Sequence, residues 1–185
     1  MNLETIFKEN VTDIAEEVIA NKVLQNAQVN YDEVPIMIED VLQNFGFKIG
    51  VVQKFKTEDI VAGIAYSQEE FVPLNSQKFF VFKKGLDVKD RRYIMALAIS
   101  KYVCWTASNE EYRSITLRTE DLNISDEKEA RIARAMLMPQ KSLSTLLLSP
   151  LINKLELMKK VENVSKAFLV SEAEAKKRMT ETGLV

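Results

Sequence analysis

Few side chains in this chain of 185 residues are equipped for chemistry, and they fall in three places. Ser100, Lys101 and Cys104 sit together in the stretch DRRYIMALAISKYVCW, residues 90–105. Glu110, Glu111, Glu127 and Glu129 form two acidic pairs, and Lys176, Lys177 and Arg178 make a basic run near the end. There is no histidine, so a site that needs imidazole as metal ligand or as general base near neutral pH cannot be assembled from this polypeptide alone. A Ser/Lys nucleophilic pair is excluded at Ser100 and Lys101, because neighbours in a helix point to different sides. Cys104, the single cysteine, cannot form an internal disulfide and reads as a buried thiol in a reducing compartment. The acids read as solvated faces rather than a divalent-ion site. No glycine-rich phosphate loop, CxxC pair or dinucleotide fingerprint is present.

The elements that must position these groups can be read from periodicity. Residues 93–105 are rich in Ile, Met, Ala, Leu and Val, with Lys101 the only charge and no glycine or proline, which predicts a buried helix. Asp87 and Asp90 lie where acids favour a helix start, and Arg91 and Arg92 follow. Leu3, Ile6, Phe7, Asn10, Val11, Ile14, Val18 and Ile19 recur at helical intervals, with Glu4, Glu9, Asp13, Glu16 and Glu17 largely opposite. That predicts an amphipathic helix ending near residues 25–30 and packed along the domain. Pro35 is expected to open a helix over 36–44 that Gly46 closes, followed by a strand over 47–53. Residues 60–66 and 78–82 are further strand candidates, with Gly63 a bulge or a point of close approach.

Residues 107–126 are polar and turn-rich and read as a loop with a short helix, after which Ser125 and Asp126 can serve as N-cap and first-turn acid. A helix over 127–139, a short one over 142–148 and an amphipathic one over 150–160 follow. The tail has the outline of a helix-turn-helix, with Leu169-Val170-Ser171 as the turn and Ser171 as the cap. From residue 150 onward there are seven Lys or Arg against five Glu. A DNA-reading helix offers a denser basic footprint, so the tail reads first as a helical pair closing the core and second as a DNA-binding element.

A hydrophobic share of 46% suffices for one sizeable core, so the chain is one domain or one domain with a small appendage. A net charge of −2 argues for neither a polyanion partner nor a membrane surface. No apolar run has the length of a membrane span, and residues 1–28 lack the hydrophobic centre of a signal peptide. A cytoplasmic protein is expected.

Arg92-Tyr93-Ile94-Met95-Ala96-Leu97-Ala98-Ile99-Ser100-Lys101-Tyr102 resembles the active-site helix of the ImmA/IrrE family of metallopeptidase-like proteins, whose usual form is R-[FY]-[ST]-x-A-H-E-x-G-H-x. In that resemblance Leu97 falls on the first zinc histidine, Ala98 on the general-base glutamate, Ser100 on the glycine and Lys101 on the second histidine. Residues 127–139, EKEARIARAMLMP, resemble the family helix E-A-[ND]-x-F-A-x-x-L-L-M-P, which carries a third ligand. An ungapped match puts Lys128 on that glutamate, and a slip of one residue would put Glu127 or Glu129 there. VPIMIEDVLQNFGFKIGVV, residues 34–52, is similar to the segment that precedes the family's active-site helix. The tail is similar to the family's A-x-x-F-x-V-S-x-x-A-x-x-x-R-L-x-x-L-G-L, with Phe168, Val170, Ser171, Ala175, Arg178, Gly183 and Leu184 in place.

The resemblance implies an α+β, zincin-like fold, a helical domain with a small three-stranded sheet against the former active-site helix. Residues 1–149 would form the degenerate peptidase domain and 150–185 a C-terminal helical element packed on it. It also implies loss of the chemistry. Leu97 has no donor atom, and a protonated Lys101 repels a divalent cation, so no metal, no cofactor and no catalytic residue is expected at the vestigial positions Leu97, Ala98, Lys101 and Lys128. Leu97 should pack toward the helix of Ile132, while Lys101 should reach Glu127, Glu129 or solvent. Active members of the family typically cleave helix-turn-helix repressors of phages and mobile elements. The function this implies is protein binding by a pseudoenzyme, with a DNA-binding regulator as the alternative.

Overall fold

The computed structural model describes residues 14–30, 32–65, 78–106, 114–123 and 125–185. Among them are seven α-helices and one four-stranded sheet, a mixed α+β arrangement. In chain order these are α1 (Glu16–Asn26), α2 (Ile38–Asn44), β1 (Lys48–Val52), β2 (Ile60–Ala65), β3 (Phe79–Lys83), α3 (Val88–Thr106) and β4 (Ser114–Arg118). A 3₁₀ turn (Thr119–Leu122) follows, then α4 (Lys128–Leu137), α5 (Gln140–Leu148), α6 (Leu157–Phe168) and α7 (Glu172–Glu181). The sheet order is β1-β3-β2-β4. β1 runs parallel to β3, and β2 is antiparallel to both of its neighbours.

The sheet has one strand more than the three expected, because the segment 107–126 contains β4. Its Ile115 and Leu117 are buried while Ser114, Thr116 and Arg118 face out, the period-two alternation of a half-buried strand. Gly63 is a point of close approach: a Cβ there would lie 3.1 Å from the Ile115 carbonyl oxygen. The irregularity in the β2/β4 register lies between Ile60 and Ala62 instead.

α3 is buried along most of its length, with Tyr93 through Ser100, Tyr102 and Val103 in the interior. The residue leading into β1 packs on it, Phe47 meeting Tyr102 edge to face at 5.6 Å between centroids, an arrangement that aromatic quadrupoles favour. α4 crosses its other side with Ala130, Ile132, Ala133, Ala135 and Met136 inside. One cluster of buried apolar residues joins α1 through β4 to Val161, Phe168, Val170, Ala175 and Met179 of the tail.

Several helix boundaries differ from expectation, and three of the starts have a visible cause. α2 begins at Ile38, not beside Pro35, because Ile36 sits in a turn: its carbonyl accepts from Ile38 N–H at 2.9 Å and from the Arg92 guanidinium at 2.8 Å. α4 begins at Lys128 after Glu127, and the Ser125 hydroxyl accepts from Glu127 N–H at 3.1 Å rather than capping the helix. α6 begins at Leu157, because residues 149–155 close into short turns in which the Ser149 carbonyl accepts from Ile152 and Asn153.

α1 presents Ile19, Ala20, Val23 and Leu24 to the core, which leaves Val18 55% exposed, contrary to its expected place on the apolar face. The inner stripe advances by one and four residues from Ile19, and Val18 falls outside it. Glu16 and Glu17 are not solvated opposites either: Glu16 pairs with Arg131 at 2.7 Å and Glu17 with Arg178. The expected helical positions Leu3 through Val11 lie outside the described residues, but Ile14, expected in the same helix, sits in a bend, and α1 begins only at Glu16 because Ala15 is extended. No helix among the described residues is long and apolar enough to cross a membrane.

The tail turns as expected. Leu169 takes the left-handed conformation with φ 51°, and the Ser171 hydroxyl accepts from Glu174 N–H at 3.1 Å, a side-chain cap on α7.

Candidate functional site

Tyr93, Leu97 and Lys101 lie at four-residue intervals and so share one face of α3. That face looks onto the 3₁₀ turn and the start of α4, and a cavity of about 260 Å³ opens between them. Tyr93, Leu97 and Ala130 are buried at 4%, 3% and 1% exposure and form its floor, while the exposed Glu120, Asn123 and Glu127 form its rim.

One wall is an ion pair that couples two elements. Lys101 Nζ donates to Asp121 Oδ1 at 2.7 Å, and Asp121 Oδ2 accepts from Arg118 N–H at 2.7 Å. Asp121 therefore fixes the chain where β4 becomes the 3₁₀ turn and holds the Lys101 ammonium at the same time. Lys101 does not reach Glu127 or Glu129, as the sequence had suggested. Asp121 lies closer because β4 delivers it to the side of α3, a placement that no local pattern in residues 107–126 encodes.

Leu97 lies in the interior and shares the cavity with Ala130 of α4, on the side expected of it. Ala98 is buried, and the Ser100 hydroxyl donates to the Ala96 carbonyl at 2.8 Å, a local bond that leaves it no role as a nucleophile beside Lys101. The Lys128 ammonium donates to the Ile14 carbonyl at 2.8 Å, toward the start of α1, and Lys128 does not line the cavity. The residues do not fit a zinc ion: Leu97 offers no donor, the Lys101 ammonium is engaged by Asp121, and Lys128 points elsewhere. Among the described residues no group of three or more His, Cys, Asp or Glu is placed to hold a metal ion. Glu110 and Glu111 lie outside the described residues.

Behind the floor is a buried polar network. Arg134 has no exposed surface; it donates to Glu181 Oε1 at 2.9 and 2.5 Å, to Glu174 Oε2 at 3.3 Å and to the Ser125 carbonyl at 2.9 Å. Burial holds the Glu174 carboxyl above the ordinary glutamate range, with Arg134 pulling in the opposite sense. The Tyr93 hydroxyl is buried without a hydrogen-bond partner among the described residues, and burial, reinforced by Glu174, raises its pKa strongly. Sequence reasoning missed Arg134, although it stands four residues after Ala130, on the helix face where a charge is out of place unless paired.

The remaining candidates are structural. Cys104 is half-buried, and burial, with Glu129 adding to it, pushes its thiol up to about 12, the opposite of a reactive cysteine. Of the basic run, Arg178 is buried and pairs with Glu17 while its Nε donates to the Met138 carbonyl at 3.0 Å. Lys177 pairs with Asp126 at 2.5 Å, which leaves Lys176 as the exposed member of the three. Comparison of the chain with protein-family models, with curated proteins and with solved structures finds no match.

Proposed function

We propose that this chain is a pseudoenzyme on a zincin-like scaffold of ImmA/IrrE type, acting in the cytoplasm by binding a protein. One observation carries the reading. Where two imidazoles one turn apart would face a third donor on the next helix, α3 presents Leu97 and a Lys101 already paired to Asp121. An aliphatic side chain and an engaged ammonium offer no Lewis acid and no activated water, while a cavity is present between α3 and α4. What such a site retains is recognition.

The sheet suits that use. β4 pairs with β2 on one side among the described residues and leads directly into the turn that forms the cavity rim. A partner segment can add to such an edge through backbone N–H and C=O groups without any catalytic residue. The partner class that the resemblance suggests is a helix-turn-helix repressor of a phage or mobile element.

The test is elemental analysis of the purified chain, expressed with zinc in the medium, alongside a cleavage assay and a pull-down from its source cells. Substoichiometric zinc, no chelator-sensitive cleavage and recovery of a repressor-type protein are expected. Stoichiometric zinc or chelator-sensitive cutting of a polypeptide would overturn the reading.

A further inference from the structure

One end of the molecule is apolar where it meets solvent. Among the described residues ten large hydrophobic side chains are exposed, and four of them fall within residues 148–158: Leu148 at 68%, Leu151 at 85%, Leu157 at 43% and Met158 at 63%. That stretch joins α5 to α6, which pack on each other, so the four share one end of the fold. A single exposed leucine carries no message, whereas such a cluster marks a surface that something covers.

The connection is held in shape. The Ser149 carbonyl accepts from Ile152 N–H at 3.1 Å and from Asn153 N–H at 2.9 Å, and the Ile152 carbonyl accepts from Leu155 N–H at 3.0 Å. Ile152, at 9% exposure, and the partly buried Leu155 anchor these turns to the core, which leaves Leu151 facing outward. On α6 the inner stripe of Val161, Val164 and Phe168 is buried. Leu157, one turn before Val161, carries the same stripe past the edge of the core.

Charge and shape together say what covers this end. Residues 148–160 hold Lys154, Lys159 and Lys160 against Glu156 alone, a local balance of +2 in a chain whose net charge is −2. Lys159 pairs with Glu162 at 2.8 Å, while Lys154 and Lys160 have no ion-pair partner among the described residues. A second copy docked here by a two-fold axis would set these lysines against their own images, since such a contact uses the same surface on both sides. A folded protein partner must offer a hollow for Leu151, which at 85% exposure stands proud of the surface rather than lining a groove. A bilayer needs no hollow, because acyl chains yield to a protruding leucine while lysine stems reach past it and set their ammonium groups among the headgroups.

We propose that the α5–α6 connection is a docking edge for an anionic lipid bilayer, with Leu151 and Met158 entering the apolar boundary and Lys154 and Lys160 meeting the headgroup anions. The edge shares no residue with the cavity between α3 and α4 and does not rest on the protein-binding role given above.

The experiment sediments the full chain with vesicles of phosphatidylcholine alone and of phosphatidylcholine with about a quarter phosphatidylserine. Binding to the anionic vesicles about tenfold or more tighter than to the neutral ones, and weakened by added salt, is expected. Leu151→Ser/Met158→Ser and, separately, Lys154→Gln/Lys160→Gln should each lower that affinity about tenfold. Circular dichroism establishes that both double variants are folded. No sedimentation with the anionic vesicles, equal binding to the two vesicle types, or an affinity unchanged in either double variant would overturn the proposal. Sedimentation velocity without lipid supplies the rival outcome: a concentration-dependent dimer abolished by Leu151→Ser/Met158→Ser would assign this end to a second copy and overturn it as well.

Discussion

Arg134→Met tests whether the buried network is held together by its central cation. The substitution keeps an unbranched apolar stem and deletes all four hydrogen bonds of the guanidinium, to Glu181, Glu174 and the Ser125 carbonyl. Two carboxylates at 6% and 14% side-chain exposure then lose that cation, and Glu181 keeps only the Arg178 guanidinium at 4.0 Å. Removing one member of a buried pair costs about 3–5 kcal/mol, a large share of the roughly 5–15 kcal/mol that stabilises a domain. Urea unfolding followed by Trp105 fluorescence and far-UV circular dichroism measures it. Replacing Glu174 and Glu181 by Met as well removes the stranded charges, and this triple variant should return to within about 1 kcal/mol of the native chain. The pH dependence fixes the sign. Burial raises the Glu174 carboxyl and Arg134 lowers it, so without Arg134 the folded state holds a proton that the unfolded chain gives up. Stability of the single variant therefore falls as pH rises through that raised value, and its deficit is smaller at pH 5 than at pH 8. A deficit below about 1 kcal/mol at pH 8, a deficit that grows on acidification, or a triple variant as weak as the single one would refute the reasoning.

Three further outcomes follow from separate parts of the molecule. With its thiol pushed up to about 12, Cys104 in the folded chain should alkylate with iodoacetamide at pH 8 on the order of a thousandfold more slowly than an unhindered thiol, and the unfolded chain in urea should lose that protection. Gly63→Ala should destabilise by about 1 kcal/mol, since the new methyl group meets the Ile115 backbone oxygen at 3.1 Å and β4 must shift to admit it; an unchanged urea midpoint would show that β4 yields without cost. Leu97→His with Lys101→His should create a binding site for Co(II), the two imidazoles one turn apart taking Asp121 or Glu127 as third donor. A tetrahedral-type visible spectrum in the double variant and none in either single variant is the expected result.

Much of this arrangement is legible in the chain itself, and what is not has a physical reason. α3 declares itself because a helix apolar on every side, with a lone Lys101, has only one place to be, inside. The α6–α7 turn declares itself through Ser171, whose hydroxyl is a local cap. β4 does not, because only two apolar residues, Ile115 and Leu117, alternate within a polar stretch. Missing β4 hid Asp121, and with it the partner of Lys101, twenty residues away along the chain. The start of α6 was misplaced because residues 149–155 bury Ile152 in turns while leaving Leu151 85% exposed, a pattern that mimics one helical face. The floor of the candidate site was thus readable from one helix, whereas its rim depends on long-range placement that no local pattern encodes.

Arg92 bears on how this gene can be cut. Its guanidinium donates to the carbonyls of Ile36, Phe168 and Leu169 at 2.8, 3.3 and 3.2 Å, so one cation at the start of α3 clasps a turn near the front of the polypeptide and the far end of α6. Fragment libraries, split-reporter insertions or nested deletions that end ahead of Phe168 remove two of its three acceptors and leave it the Ile36 carbonyl alone. A fusion placed after Gly183, beyond the last of these clasps, leaves it undisturbed.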